Sequence, residues 1–401
     1  MKNSKRILIL GAGPEQCIAI QEAKSLGYDV FVADGDENAI GLKNEKSYVI
    51  DISDKYEVLK LAKSLNLNGI FCHGVEIPEV VAFVGNSLGL PSLPESVAQR
   101  CTDKIERISF LKKNNIPCPN YKIIKDEEDF KNNEIEYPYI LKPIDSSGAR
   151  GVTEINKPSE FKKAFKTAMS FTKNKKILLE EKLSGQELST ESIIYNNEII
   201  TFAVADRNYE SSDIFFPYFI EDGINYPSKI DQKLFKKVIQ LVEQTIRTLG
   251  INYGSAKGDI IIHEGKPFIL EMACRTSGGW FCAGSIPAAT GINALNPLIK
   301  IAVGDTPDLS LLEKKYSKGC AQRYLIPKKN GILKEIKGID KAIKSKGIYS
   351  YDLFLPNKGD KIEKCTNHSQ RFAQFIFTGA TREEAMLNAE RAMNKIDLKI
   401  N

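Results

Sequence analysis

Short apolar runs alternate with helical patterns at the start of this chain, and that alternation restricts the opening to a parallel sheet. RILIL from Arg6, YDVFVAD from Tyr28 and GIFC from Gly69 read as strands, with helical spacing over Glu15 to Leu26, Lys55 to Leu65 and onward from Pro78. Strands separated by helices pair in parallel, because each crossover returns the chain to the same end of the sheet. Gly11-Ala12-Gly13-Pro14-Glu15-Gln16 follows the first strand and Asp34 closes the second, the outline of a nucleotide-binding βαβ turn. Gln16 stands where a third glycine would let helix and strand approach. A tight turn in a Rossmann-like sheet is therefore the expectation, with phosphate contact by Gly11 and Gly13 the alternative.

The 401 residues allow two or three domains at about 150 residues each. With 42% hydrophobic and 27% charged residues the composition is that of globular domains, which excludes disorder and coiled-coil arrays as the main architecture. Lys+Arg 56 against Asp+Glu 51 leaves +5, without a basic block, so nucleic acid is not indicated as a partner. The eight cysteines form no CxxC pair and the apolar run in MKNSKRILILGAG is short for a signal segment, so a reduced, cytoplasmic setting is expected. No apolar stretch approaches the roughly 20 residues of a membrane span.

Farther along, one helix is expected from about Pro94 to Lys113, then the extended, proline-rich NNIPCPNY reads as a domain connection. YPYILKP, ILLEEKL, LSTESIIY and EIITFAVAD read as strands, with a hairpin turn at Asn196-Asn197 and a helix from Asp231 to Leu249. From about Lys318, QRYLIP, RFAQFIFTGA and a helix opened by Thr381, with Glu384 three residues later as a capping box, form a last α/β segment.

Two clusters carry chemistry. Lys142-Pro143-Ile144-Asp145-Ser146-Ser147-Gly148-Ala149-Arg150-Gly151 follows a strand, and its small residues let backbone N–H groups approach phosphate oxygens beside a lysine. It lacks the P-loop spacing; a surface turn is the plainer alternative. The second cluster is a hairpin formed by Tyr253 to Ile262 and Pro267 to Arg275, joined by Glu264-Gly265-Lys266. Pairing His263 with Pro267 sets Asp259 opposite Glu271, Lys257 opposite Ala273 and Ser255 opposite Arg275. Period-two alternation then puts these on one face, with Ile260, Ile262, Phe268 and Leu270 on a core face. Two carboxylates framed by cations suit Mg²⁺, and cross-strand ion pairs on a solvated face are the alternative. Arg275-Thr276-Ser277-Gly278-Gly279 supplies a second glycine turn beside this face. The three histidines His73, His263 and His368 are scattered, and Cys72-His73 with Glu76 reads as a strand end rather than a metal site.

TDKIERISFLKKNNIPCP, YPYILKPIDSSGARGV, ILLEEKLSGQE and GSAKGDIIIHEGKPFILEMACRTSGG, in this order, resemble the motifs of the ATP-grasp ligases. The resemblance implies an α/β and α+β chain: a Rossmann-like pre-ATP-grasp domain over 1–100, an ATP-grasp domain over 101–315 with a lid at about 120–185, and a small C-terminal α/β domain over 316–401. It implies ATP and Mg²⁺, with Mn²⁺ as an alternative metal. Lys104 and Lys142 would contact phosphates while Ser146, Ser147, Gly148 and Gly151 close over them. Glu180, Glu181 and Leu183 would hold adenine, Glu187 the ribose, and Asp259 and Glu271 the metal. Arg275 and Lys257 would stabilise charge on the transferred phosphate or the tetrahedral intermediate. Ala273 replaces the asparagine common at the third metal position, which leaves one or two metal ions open and counts against a biotin carboxylase. The resemblance favours a ligase that joins a small-molecule carboxylate to an amine through an acyl phosphate, in the amino-acid ligase branch. Phosphoribosylglycinamide synthetase or a carbamoyl-phosphate-synthase-like enzyme, and a nucleotide-binding module without turnover, are the alternatives. Arg207, Tyr209, Arg323 and Trp280 are acceptor-pocket candidates with surface or core roles equally open. Partners would be ATP and small molecules, with no nucleic acid or membrane, and a homodimer is common in such enzymes.

Overall fold

The computed structural model describes residues 4–43, 46–130 and 136–401; residues 131–135 of the expected lid range lie outside the described residues. Strands β1 (Arg6–Leu10), β2 (Asp29–Asp34), β3 (Ser47–Val49) and β4 (Gly69–Cys72) form a parallel sheet in the order β3-β2-β1-β4. β1 is apolar along its buried length because both faces are covered. Ile7 and Ile9 enter one core cluster with Ala19 and Ala23 of α1 (Gln16–Ser25), while Leu8 and Leu10 enter another. That second cluster holds Val58 and Ala62 of α2 (Lys55–Leu65) and Val80 and Val84 of α3 (Pro78–Leu88).

The single helix expected before the connection is two. α4 (Glu95–Thr102) stops at Asp103, which is extended, and the Asp103 carboxylate accepts from the backbone N–H groups of Ile105 and Glu106 to start α5 (Lys104–Lys113). An aspartate free to cap outcompetes helix continuation here, and the break sets Lys104 at the first position of a new helix.

Strands β5 (Tyr121–Ile124), β6 (Tyr139–Pro143), β7 (Thr153–Ile155) and β8 (Ile177–Glu181) form an antiparallel sheet ordered β5-β8-β6-β7. Helix α6 (Pro158–Ser170) covers it with Phe161, Ala164 and Ala168.

The largest sheet uses β9 (Gln186–Tyr195), β10 (Glu198–Asn208), β11 (Gly223–Tyr226), β12 (Gly254–His263), β13 (Lys266–Ala273) and β14 (Gly319–Leu325). After β15 (Gly331–Lys337) come β16 (Ile348–Leu353), β17 (Lys361–Ile362), β18 (Ala373–Gly379) and β19 (Asp397–Ile400). The order is β13-β12-β9-β10-β11-β14-β18-β16, antiparallel throughout, and β17-β15-β19 form a small separate sheet. The C-terminal strands thus continue the same eight-stranded sheet. Asn196 and Asn197, at φ 50° and 65°, make the expected hairpin turn between β9 and β10. Asp231 caps the helix Gln232–Leu249, whose Val238, Leu241, Val242, Ile246 and Leu249 pack under the sheet. At Thr381 the cap is half a box: Thr381 accepts from the Glu384 N–H, while the Glu384 carboxylate reaches back to the N–H of Ala380.

β11 is the seam between the two halves of the large sheet, and Gly223 has no room there for a side chain: an added Cβ would lie 1.9 Å from the Gln322 carbonyl oxygen of β14. Gly223→Ala is expected to cost stability at the upper end of about 1–3 kcal/mol, read as a lowered urea midpoint.

Candidate active site

The β12–β13 hairpin turns more tightly than its sequence suggests. His263 pairs with Lys266, leaving Glu264 and Gly265 as a two-residue turn with φ 48° and 73°. A bulge after Asp259 then takes up one residue, so that Ile260 faces Ile269 rather than Leu270, and Ile269 and Met272 join Ile260 in the core. The two departures cancel beyond the bulge: Asp259 lies opposite Glu271 and Lys257 opposite Ala273. β13 ends at Ala273, so the expected Ser255–Arg275 pair is replaced by a turn of Arg275 toward Glu76.

β9 adds Glu187, Ser189 and Glu191 opposite Ile261, Asp259 and Lys257. Alternation directs these to the face that carries Asp259 and Glu271. Asp259 is buried; Ser189 donates to its Oδ1 at 3.0 Å, and Lys257 and Arg207 both reach Oδ2, Arg207 at 3.0 Å. Burial alone would raise the Asp259 carboxyl, but Arg207 and Lys257 hold it below its usual value. Burial acts the same way on Glu271 and is overcome by Lys257, Arg107 and Lys104, which depress it strongly. Glu187 accepts from the Tyr209 hydroxyl at 3.0 Å and lies 3.5 Å from Arg207, so its carboxylate belongs to this cluster; burial raises it.

At the start of α5, Lys104 is held by the carbonyls of Ile144 and Ser146, and burial pushes its ammonium down to about 8, against the attraction of Glu271. Lys142 Nζ is 2.5 Å from the Glu180 carboxylate. Glu181 accepts from the side chain of Asn120 at 2.8 Å, and Leu183 is buried. In the loop between β6 and β7, Ser146 Oγ donates to the Arg150 carbonyl, Arg150 donates to Ser147 Oγ, and Gly148 and Gly151 have φ 62° and 73°. The Gly148 carbonyl accepts from the backbone N–H of His368 at 2.9 Å, which seats this loop on the C-terminal region.

Three contributors were not foreseen from sequence patterning. Arg107 lies one helical turn after Lys104, is 4% exposed, and approaches Glu271 at 3.7 Å. Glu191 is wholly buried, accepts from the Ser277 N–H at 2.6 Å, leaves Oε2 without a partner among the described residues and is pushed up to about 7 by burial. The third is a bracket from the first sheet onto the Arg275 turn. Arg275 donates to Glu76, His73 Nδ1 meets Thr276 Oγ1 at 2.8 Å, and Glu15 accepts from the Trp280 N–H at 2.9 Å. The i,i+3 spacing from Lys104 could have flagged Arg107; no local pattern marks the others.

The Gly11–Gly13 turn is filled by its own chain. A Cβ at Gly13 would lie 2.8 Å from Gln16 Oε1, Gln16 donates to the His73 carbonyl, and Asp34 accepts from the Ala12 N–H. Asp259 and Glu271 are hard oxygen donors of the kind Mg²⁺ takes alongside substrate phosphates. Ala273 adds no ligand, and among the described residues no group of three His, Cys, Asp or Glu is placed to hold a metal. No described helix is long and apolar enough to cross a membrane.

Residues 101–279 match the ATP-grasp domain family and residues 323–401 match L-amino acid ligase C-terminal domain 2. A formate-dependent phosphoribosylglycinamide formyltransferase of Sulfurisphaera tokodaii is 22% identical, covering 98% of this chain and 97% of its own. The L-amino acid ligase from Bacillus licheniformis superposes with a TM-score of 0.85 at 18% identity, and the phosphoribosylglycinamide synthetase from Anaerococcus prevotii with 0.75 at 24%, each covering 100% of both chains. Residues 101–279 are thus an ATP-grasp domain and residues 323–401 an L-amino acid ligase C-terminal domain 2, and strands from both regions meet in the eight-stranded sheet.

Proposed function

We propose that this chain joins a small-molecule carboxylate to an amine through an acyl phosphate, releasing ADP and phosphate. The observation that carries the reading is the shared face on which Lys257, Arg207, Arg107 and Arg275 surround Asp259 and Glu271. A substrate carboxylate oxygen attacks the γ-phosphorus of ATP and the bond to the ADP oxygen breaks. The amine nitrogen then attacks the acyl carbon, the carbon–oxygen bond to phosphate breaks, and the nitrogen gives up its proton.

Neither step needs a covalent nucleophile from the protein; the cations have only to hold charge where it develops. Lys104 and Lys142 exchange their present carbonyl and carboxylate partners for phosphate oxygens. Arg275 and Lys257 face the transferring group, and the four-stranded sheet with residues 146–151 acts as a lid that excludes water from the acyl phosphate. Asp259 and Glu271 would hold Mg²⁺, which would supply positive charge against the phosphates.

The test is ADP release from Mg-ATP with a panel of carboxylates and hydroxylamine as a small universal acceptor. Hydroxamate formation dependent on one carboxylate is the expected result, and a panel giving neither hydroxamate nor ADP overturns the reading.

A further inference from the structure

The second step of the proposed reaction releases protons that need a destination. An amine at neutral pH is an ammonium, with no lone pair until it loses a proton, and its nitrogen sheds another as the amide forms. The carboxylates around the shared face are already committed. Asp259 is held by Lys257, Arg207 and Ser189, and Glu271 faces Arg107 at 3.7 Å. Glu187 meets Tyr209 and Arg207, Glu221 accepts from Arg207 at 2.7 Å, and Glu76 accepts from Arg275.

Glu191 differs from these. It lies opposite Lys257 on the face that carries Asp259 and Glu271. Its Oε1 accepts from the Ser277 N–H, while its Oε2 has no partner among the described residues. The Ser277 hydroxyl adjoins the same carboxylate, is 4% exposed in its residue as a whole, and its Oγ is likewise without a partner among the described residues. Buried polar atoms left unsatisfied are costly and call for a function. A hydroxyl both accepts and donates, so it can take a proton from a ligand while passing its own to the acid behind it.

The neighbours of Glu191 suit that task. Lys257 of β12 and Arg275 of the turn favour its ionised form, Cys282 of the segment Phe281–Ser285 lies within its field, and β10 sets uncharged Ala203 opposite it. Burial outweighs the two cations and lifts the carboxyl to about 7, where a base is ionised at neutral pH and still binds a proton well. Ser277 follows Arg275 by two residues, which sets the hydroxyl on the same turn as the cation that faces the transferring group.

We propose that Ser277 and Glu191 accept the proton of the incoming amine: the ammonium nitrogen gives a proton to Ser277 Oγ as the serine hydroxyl gives its own to Glu191 Oε2. The freed lone pair attacks the acyl carbon. The carbon–oxygen bond to phosphate then breaks with its electrons on the phosphate oxygen, which takes the second proton from nitrogen, and Glu191 returns its proton to solvent. Ser277 touches the substrate and Glu191 acts through it. The relay serves acceptors that are protonated at neutral pH. This inference rests on the ligase reading above, and the two are tested apart.

Two acceptors of similar size decide it. Ammonium chloride offers a nitrogen that is protonated at neutral pH, and hydroxylamine one that is mostly unprotonated. With the carboxylate that supports hydroxamate formation, Glu191→Gln should lower the rate with ammonium by about 10²-fold and the rate with hydroxylamine by less than tenfold. Ser277→Ala should show the same split, with thermal melting of both variants as the check on folding. The wild-type rate with ammonium should level off above about pH 7, where the carboxyl is ionised, while that of Glu191→Gln keeps rising with pH as free ammonia accumulates.

Equal losses with the two acceptors would leave Glu191 a structural role and overturn the proposal. A rate with ammonium near wild type in either variant, or a wild type that uses hydroxylamine but never ammonium, overturns it as well. Each of these outcomes includes hydroxamate formation and so spares the ligase reading. A wild type that yields neither hydroxamate nor ADP sinks that reading, and this inference with it.

Discussion

Replacing Glu271 by glutamine lowers turnover by about 10²- to 10³-fold, while circular dichroism and thermal melting stay near those of the wild type. Glutamine keeps the size and one oxygen of the side chain but removes the charge that faces Lys257, Arg107, Lys104 and Arg275. It also makes a poor metal ligand beside Asp259, and Ala273 supplies no substitute. On the proposed reading, in which Glu271 would hold Mg²⁺, the loss belongs in turnover, because an interaction that strengthens as charge shifts in the transition state acts on kcat. The fold should survive, since Glu271 is partly exposed at the sheet edge and the core side of β13 is carried by Ile269 and Met272. Turnover near wild type in this variant would falsify the metal-ligand assignment.

Arg275→Met is the second large effect, again about 10²- to 10³-fold in turnover. Methionine fills much of the same volume, but it cannot donate to Glu76 or to the Thr276 carbonyl, which Arg275 reaches at 2.9 Å. Glu76→Gln separates the two tasks of the arginine. The Glu76 side chain is 36% exposed, so losing its charge should cost less than about tenfold, as for other partly solvated pairs. If Glu76→Gln were as damaging as Arg275→Met, the arginine would act through the bracket to the first sheet rather than on the reacting group. Steady-state rates of both variants with one established substrate pair decide this.

Glu271 is legible in the sequence for a physical reason, whereas the position of Arg275 is set by the turn after β13. A strand alternates sides at every residue, so a hairpin recognised from its turn and its apolar runs already says which residues share a face. The expectation about Asp259 and Glu271 tolerates an error in the turn because a bulge restores the register. The bulge itself is not legible, as it answers to packing of Ile269 under the sheet rather than to a turn motif. The capped helix at Asp231, the Asn196-Asn197 turn and the parallel opening sheet are legible on the same local grounds. The break at Asp103 is hidden: helical spacing runs through it, and only the choice of that carboxylate to cap ends one helix and starts another.

Local rules therefore account for the set of elements and for the charged face of one hairpin, because propensity, capping and alternation act over a few residues. How distant segments complete that face is a property of the folded chain alone. His73 meets Thr276 across 203 positions and Glu15 meets Trp280 across 265. Gln16 fills the turn that its spacing left open to phosphate. Glu191 meets the Ser277 N–H across 86 positions, once β9 lies beside β12. Contacts of that length carry no period, so they exist only when loop closure is repaid by burial in the folded chain.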